Sequence, residues 1–149
     1  MKSKIIIARD FLMSFLNRAE VKKCKSVIQD NNKLISRAEY IIDKQEEIVD
    51  KGRLIKSDNI TYFTIQKNVD YENAVNVKEN MEILKVNLND INGFNNDLIR
   101  AHSKRSGTKQ DIITDTNKKI SEANNNILKV TGGISPKEYI YKYLPEELQ

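Results

Sequence analysis

The sequence predicts a mainly α protein: an elongated antiparallel coiled coil or helical bundle with one β-hairpin, at about residues 53–66, between two long helices. Three observations lead to that class. Only five Gly and two Pro occur in 149 residues, far fewer than an all-β chain needs to turn about every 8–12 residues. Apolar residues recur at alternating three- and four-residue steps along three separate segments, which is the period of a helix that buries one face. A run rich in β-branched and aromatic residues lies between the first two of those segments, and such residues favour strands.

The elements follow in order. Residues 4–16 predict a short helix with Ile5, Ala8, Leu12, Phe15 and Leu16 on one face, and the phase of that face breaks near Asn17. Asn17 then reads as the cap of a long helix over 18–51, with Glu20 reaching back to the first turn and Gly52 ending it. Its stripe is Val21, Cys24, Ile28, Asn31, Ile35, Ala38, Ile42, Gln45 and Val49. The hairpin comes next, with strands Arg53–Lys56 and Ile60–Gln66 around a turn at Ser57-Asp58-Asn59. A second long helix over 70–102 carries Ala74, Val77, Met81, Leu84, Leu88, Ile91, Asn95 and Leu98. Two narrow stripes of matched length fold back on each other, because neither is buried alone.

A loop at 103–109 without an apolar side chain leads to a third helix at 109–131, striped with Ile113, Thr116, Ile120, Ala123, Ile127 and Val130. Gly132-Gly133 stops it. Ser135-Pro136-Lys137-Glu138 combines a capping hydroxyl, Pro at the first helical position and a Glu three residues on, so a C-terminal helix is expected at 136–144. The whole forms a single elongated unit. Across about residues 18–102 the helix–hairpin–helix order is similar in plan to a prefoldin subunit, whose hairpins assemble into a barrel. The basic loop, third helix and tyrosine-rich end depart from that plan.

Composition narrows the chemistry. The single His102 and single Cys24 do not make a His/Cys zinc cage, and a lone Cys precludes an intrachain disulfide. Acidic pairs such as Glu46-Glu47 and Glu79 with Glu82 fall opposite the apolar stripes, where carboxylates are solvated, and His102 has no nucleophile beside it. No catalytic, cofactor or metal residue is therefore expected, and the chain is expected not to be an enzyme. Twenty Ile, nineteen Lys and seventeen Asn suggest an A/T-rich gene. Arg9 and Asp10 interrupt the first apolar run, and no apolar stretch reaches membrane-spanning length. The N-terminal segment is expected to dock on protein in preference to a membrane surface. Cytoplasm is the expected compartment, or a virus or phage particle assembled there.

Charge is uneven. Residues 1–25 carry a net +5, 26–99 a net −4, 100–109 a net +4 and 110–149 a net −1, giving +4 overall. Arg100, Lys104, Arg105 and Lys109 are the candidate anion or nucleic-acid contacts, although cations after a helix C-terminus also serve simply to complement its dipole. Ser106-Gly107-Thr108-Lys109 lacks the spaced glycines and Lys-Ser/Thr order of a phosphate loop. Leu54, Ile60, Tyr62 and Phe63 on the hairpin, with Tyr139, Tyr141 and Tyr143 near the end, are the candidate protein interface. Asn31, Gln45 and Asn95 interrupt the stripes, either as register-setting polar residues or as drift toward Asn. The function expected is structural: an assembly or adaptor subunit acting through protein–protein contacts, plausible as a homo-oligomer or particle component. A basic nucleic-acid-associated helical protein is the alternative, and a small chaperone or inhibitor acting by binding is the second.

Overall fold

The two long stripes become two long helices, α1 (Lys4–Lys56) and α2 (Phe63–Ser103), and the third becomes α3 (Gln110–Thr131). A short α4 (Pro136–Tyr141) and a 3₁₀ turn (Glu146–Leu148) complete the chain. The structure is a computed structural model that describes the backbone of residues 4–56, 63–103 and 110–149, with side chains over 16–51, 71–102 and 110–149.

Three helices pack against one another, and no strand occurs among the described residues. The expected fold class is corrected accordingly. Arg53–Lys56, expected as the first strand, is the last turn of α1, and residues 63–66 of the second form the first turn of α2. The expected turn and the start of its second strand, residues 57–62, lie outside the described residues. Once a long helix has nucleated, each further residue adds a hydrogen bond at little extra cost. A β-branched run therefore follows the helix it continues, and Gly52 is carried inside α1 at a cost of about 1 kcal/mol. Without the hairpin, the likeness in plan to a prefoldin subunit reduces to two antiparallel helices.

The break expected near Asn17 is also absent, since α1 is one helix of 53 residues, about 80 Å long at 1.5 Å per residue. No Gly or Pro interrupts its first 48 residues, 4–51, and a change in apolar phase alone does not open a backbone hydrogen bond. Asn17 does not start a helix; its Oδ1 lies 3.3 Å from Nδ1 of His102 on α2.

Polar pairs between α1 and α2 mark the antiparallel register. Asn92 Nδ2 donates to Asn32 Oδ1 at 3.0 Å, Lys85 meets Glu39 at 3.0 Å, and Lys78 meets Glu46 at 3.5 Å. On each helix these positions advance by one heptad, up α1 and down α2, so the seam between them keeps a coiled-coil period. α3 packs on α2, sharing one core with α1, and α4 folds across to α1. The turn between α3 and α4 uses Gly132 and Gly133 at φ 71° and 94°, a region open to glycine without the penalty a side chain incurs. Gly133 N donates to Leu128 O at 3.0 Å, which closes the end of α3. Ser135 Oγ accepts from Glu138 N at 3.2 Å with Pro136 in the first turn, as the capping signature requires.

The main core gathers Ile35, Ala38 and Ile41 from α1, Met81, Leu84, Leu88 and Ile91 from α2, Ala123 and Ile127 from α3, and Tyr139, Ile140 and Leu144 from the C-terminal segment. A smaller core of Cys24, Leu98, Ala101 and Ile113 lies nearer the start of α3. All three stripes thus face inward. Beyond Ile41 and Met81, α1 and α2 continue as a two-helix arm in which Val49 and Ala74 are buried.

Candidate functional site

α1 and α3 each pack mainly on α2 and only weakly on each other. That arrangement leaves a groove. Its floor is Leu88, Ile91, Asn95 and Leu98 of α2, and one wall is Glu20, Cys24, Val27 and Asn31 of α1. Asn117, Ile120 and Asn124 of α3 form the other wall, and Pro136 stands at the far end. The volume there is about 300 Å³. A second stretch of about 360 Å³ continues past Leu16, Asn17, His102, Gln110 and Ile113, sharing Glu20, Leu98 and Asn117 with the first. The two form one apolar-floored channel along the lower half of the molecule.

Several polar groups of this channel are engaged. Asn31 Nδ2 donates to Asn92 Oδ1 at 3.1 Å, linking α1 to α2 beneath the wall. Asn95 Nδ2 turns back to Ile91 O of its own helix at 2.9 Å. Of the two seam asparagines singled out from sequence, Asn31 therefore ties the helices together and Asn95 does not. Gln45 is half-buried in the arm. Burial raises the pKa of the Cys24 thiol, the Glu20 carboxylate raises it further, and Lys23 partly offsets both. The thiol accordingly stays neutral and weakly nucleophilic near neutral pH.

The tyrosines expected as an interface range from buried to exposed. Tyr139 lies in the main core and its hydroxyl accepts from Asn80 Nδ2 at 3.1 Å. Tyr141 packs half-buried on that core beneath Lys137, whose Nζ is 5.4 Å from the ring centre. Tyr143 is the exposed member, edge-on to Tyr139 with centroids 5.5 Å apart. Burial raises its hydroxyl pKa, and the neighbouring Tyr139 adds to the effect. Leu54 and Phe63 fall in the terminal turns of α1 and α2 with side chains outside the described set, and Ile60 and Tyr62 lie outside the described residues altogether.

Of the basic candidates, Arg100 is exposed in the last turn of α2 and sits 3.7 Å from Asp97. Lys104, Arg105 and Lys109 lie outside the described residues. His102 is half-buried against Asn17. The acidic pairs are solvated as expected, with Glu46 facing Lys78 and Glu47 facing Lys44 at 3.8 Å. No group of three side chains able to hold a metal ion occurs among the described residues, nor is any described helix long and apolar enough to cross a membrane.

The groove was not foreseen from sequence. Its signal was present in α2, where Leu88, Ile91, Asn95 and Leu98 serve two neighbouring helices at once. No protein-family model, curated protein or solved structure matches the chain.

Proposed function

We propose that the chain is an assembly or adaptor subunit that works through protein–protein contacts, in the cytoplasm or in a virus or phage particle built there. The observation that supports it best is the open groove between α1 and α3, which leaves the three-helix base one wall short of a closed four-helix bundle. Surface area points the same way: the chain exposes 10926 Å², where a compact monomer of this mass would expose about 7,800 Å². Much of the excess belongs to an elongated shape, and such shapes are suited to presenting long contact surfaces to other chains.

Sedimentation equilibrium of the full chain over a wide concentration range tests the self-assembling form of this function. A mass that rises above 17.2 kDa with concentration is the expected result. A mass fixed at the monomer throughout would overturn it.

A further inference from the structure

α1 does not stop where its neighbours stop. Asn17 is level with His102, next to the last residue of α2, and Leu16, Asn17 and Gln110 border the same end of the groove. Residues 4–15 of α1 therefore run past the ends of both α2 and α3, an overhang of about 18 Å at the helical rise. The groove extends from Leu16 to Asn31 along α1, about 22 Å by the same measure. Pro136 stands at its far end, and its near end lies where the overhang begins. In sequence the overhang repeats Ile5, Ala8, Leu12 and Phe15, the spacing of a helix that lays one face into a groove.

We propose that the occupant is a second copy of this chain, with the overhang of each copy lying between α1 and α3 of the other. Each three-helix base then becomes a four-helix bundle, and the exchange closes by two-fold symmetry without leaving a free groove. The two α1 helices run antiparallel about a point near Asn17 and Arg18. In that register Asp10 of one copy comes level with Lys25 of the other, and Lys4 comes level with Asn31, beside Asp30. These two levels pair opposite charges beside the groove, outside the residues that line it, while Arg9 comes level with Ser26, next to Lys25. A helix about 10 Å across, two-thirds covered over the overhang, buries with its groove about 750 Å², so the reciprocal pair buries about 1,500 Å², within the size range of a stable interface. This inference rests on the assembly reading and names the partner of the same groove.

The chain's one cysteine, Cys24, lines the groove and makes the test direct. In Leu12→Cys the two thiols lie on one helix, about 18 Å apart along its axis, beyond the roughly 7 Å between Cα atoms that a disulfide spans. Any bridge between them joins two chains. The full chain carrying Ala8→Cys, Leu12→Cys or Phe15→Cys is oxidised gently, and the covalent dimer is read on non-reducing gels beside sedimentation of the reduced protein. The expected result is a reducible dimer strongest at position 12, lost in Leu12→Cys/Cys24→Ser and lost again when Asn117→Trp fills the groove. A reduced protein that is oligomeric yet forms no Cys24-dependent bridge at any of the three positions would overturn this occupant and leave the assembly reading standing. A monomer at every concentration, with no bridge, would overturn both.

Discussion

The base of the molecule and its arm are made from the same two helices with the same heptad register, yet they bury very different amounts of side chain. The fully buried large residues Ile41, Met81, Leu84, Leu88, Ile127 and Ile140 all belong to the base, where α3 and α4 enclose the seam. In the arm, over described side chains 42–51 and 71–80, Val49 and Ala74 are the buried apolar residues, while Ile42 and Val77 are half-buried and Ile48 is exposed. A stripe in a two-helix hairpin is covered from one side. The same stripe against a third helix is enclosed. Heptad spacing thus sets register along the whole hairpin, whereas enclosure decides where the stability resides.

The largest test of that contrast is a pair of truncations. Leu88→Ala, at the centre of the main core, is expected to cost about 2–5 kcal/mol, and Leu88→Asp to abolish cooperative folding by burying an unpaired charge. Val49→Ala in the arm is expected to cost about 1–2 kcal/mol, because it removes less surface from a site closed on fewer sides. Urea titrations followed by helical circular dichroism give all three values. Equal costs for Leu88→Ala and Val49→Ala would erase the distinction.

Hydrogen exchange reads the same contrast without mutation. Amides of 42–51 and 71–80 are expected to exchange through local opening at a free energy below that of global unfolding, while those of 81–98 and 113–127 exchange only with the whole fold. Uniform protection along α1 and α2 would mean that the arm is held as firmly as the base.

The buried amide pair of the base offers a smaller effect with a distinctive sign. Asn92→Leu removes the acceptor of Asn31 and the donor to Asn32, leaving a buried polar group unpaired at about 1–3 kcal/mol. Asn31→Leu/Asn92→Leu removes both partners and is expected to recover most of that loss, or to exceed the parent in stability. Asn95→Leu has no cross-helix partner to strand, since its amide bonds to its own helix. A double-mutant cycle with no coupling between positions 31 and 92 would show that the pair sets nothing.

These residues also mark how far the sequence was readable. The three stripes, the Ser135-Pro136 cap and the glycine stop were legible because each is a local rule with one physical solution. The segment 53–66 misled because β-propensity depends on what a strand packs against, and extension of two existing helices needed no new partner. Asn17 misled because a capping side chain is equally able to reach across to another helix, as it does to His102. Asn92 and Tyr139 were unreadable for a related reason: periodicity assigns a residue to a face, and a partner on a distant element decides whether a polar atom can be buried there.

Cys24 ties stability in the smaller core to pH. Its pKa is raised chiefly by burial, so the folded state retains the thiol proton to higher pH than the unfolded chain. The stabilisation is complete below the unfolded thiol pKa and is lost as pH rises through the folded value. Denaturation midpoints are therefore expected to fall more steeply in mildly alkaline solution for the parent than for Cys24→Ala, with the two curves parallel at neutral pH. Parallel curves throughout would mean that the thiol is as well solvated folded as unfolded.

The smallest effect compares two ion pairs of identical chemistry one heptad apart, Glu39–Lys85 at the edge of the base and Glu46–Lys78 on the arm. Both carboxylates are half-exposed, so each pair is expected to contribute no more than about 0.5 kcal/mol, and less in concentrated salt, where screening acts over about 3 Å. Glu39→Gln should cost slightly more than Glu46→Gln, because the base holds its two side chains at 3.0 Å where the arm holds its pair at 3.5 Å. Urea midpoints at low and high sodium chloride separate the two. If Glu46→Gln proved the costlier change, and its cost vanished with salt, the arm would be held by charge across its rim more than by Val49 and Ala74 in its seam. Enclosure would then explain the base alone, and register and stability in the arm would share one electrostatic cause.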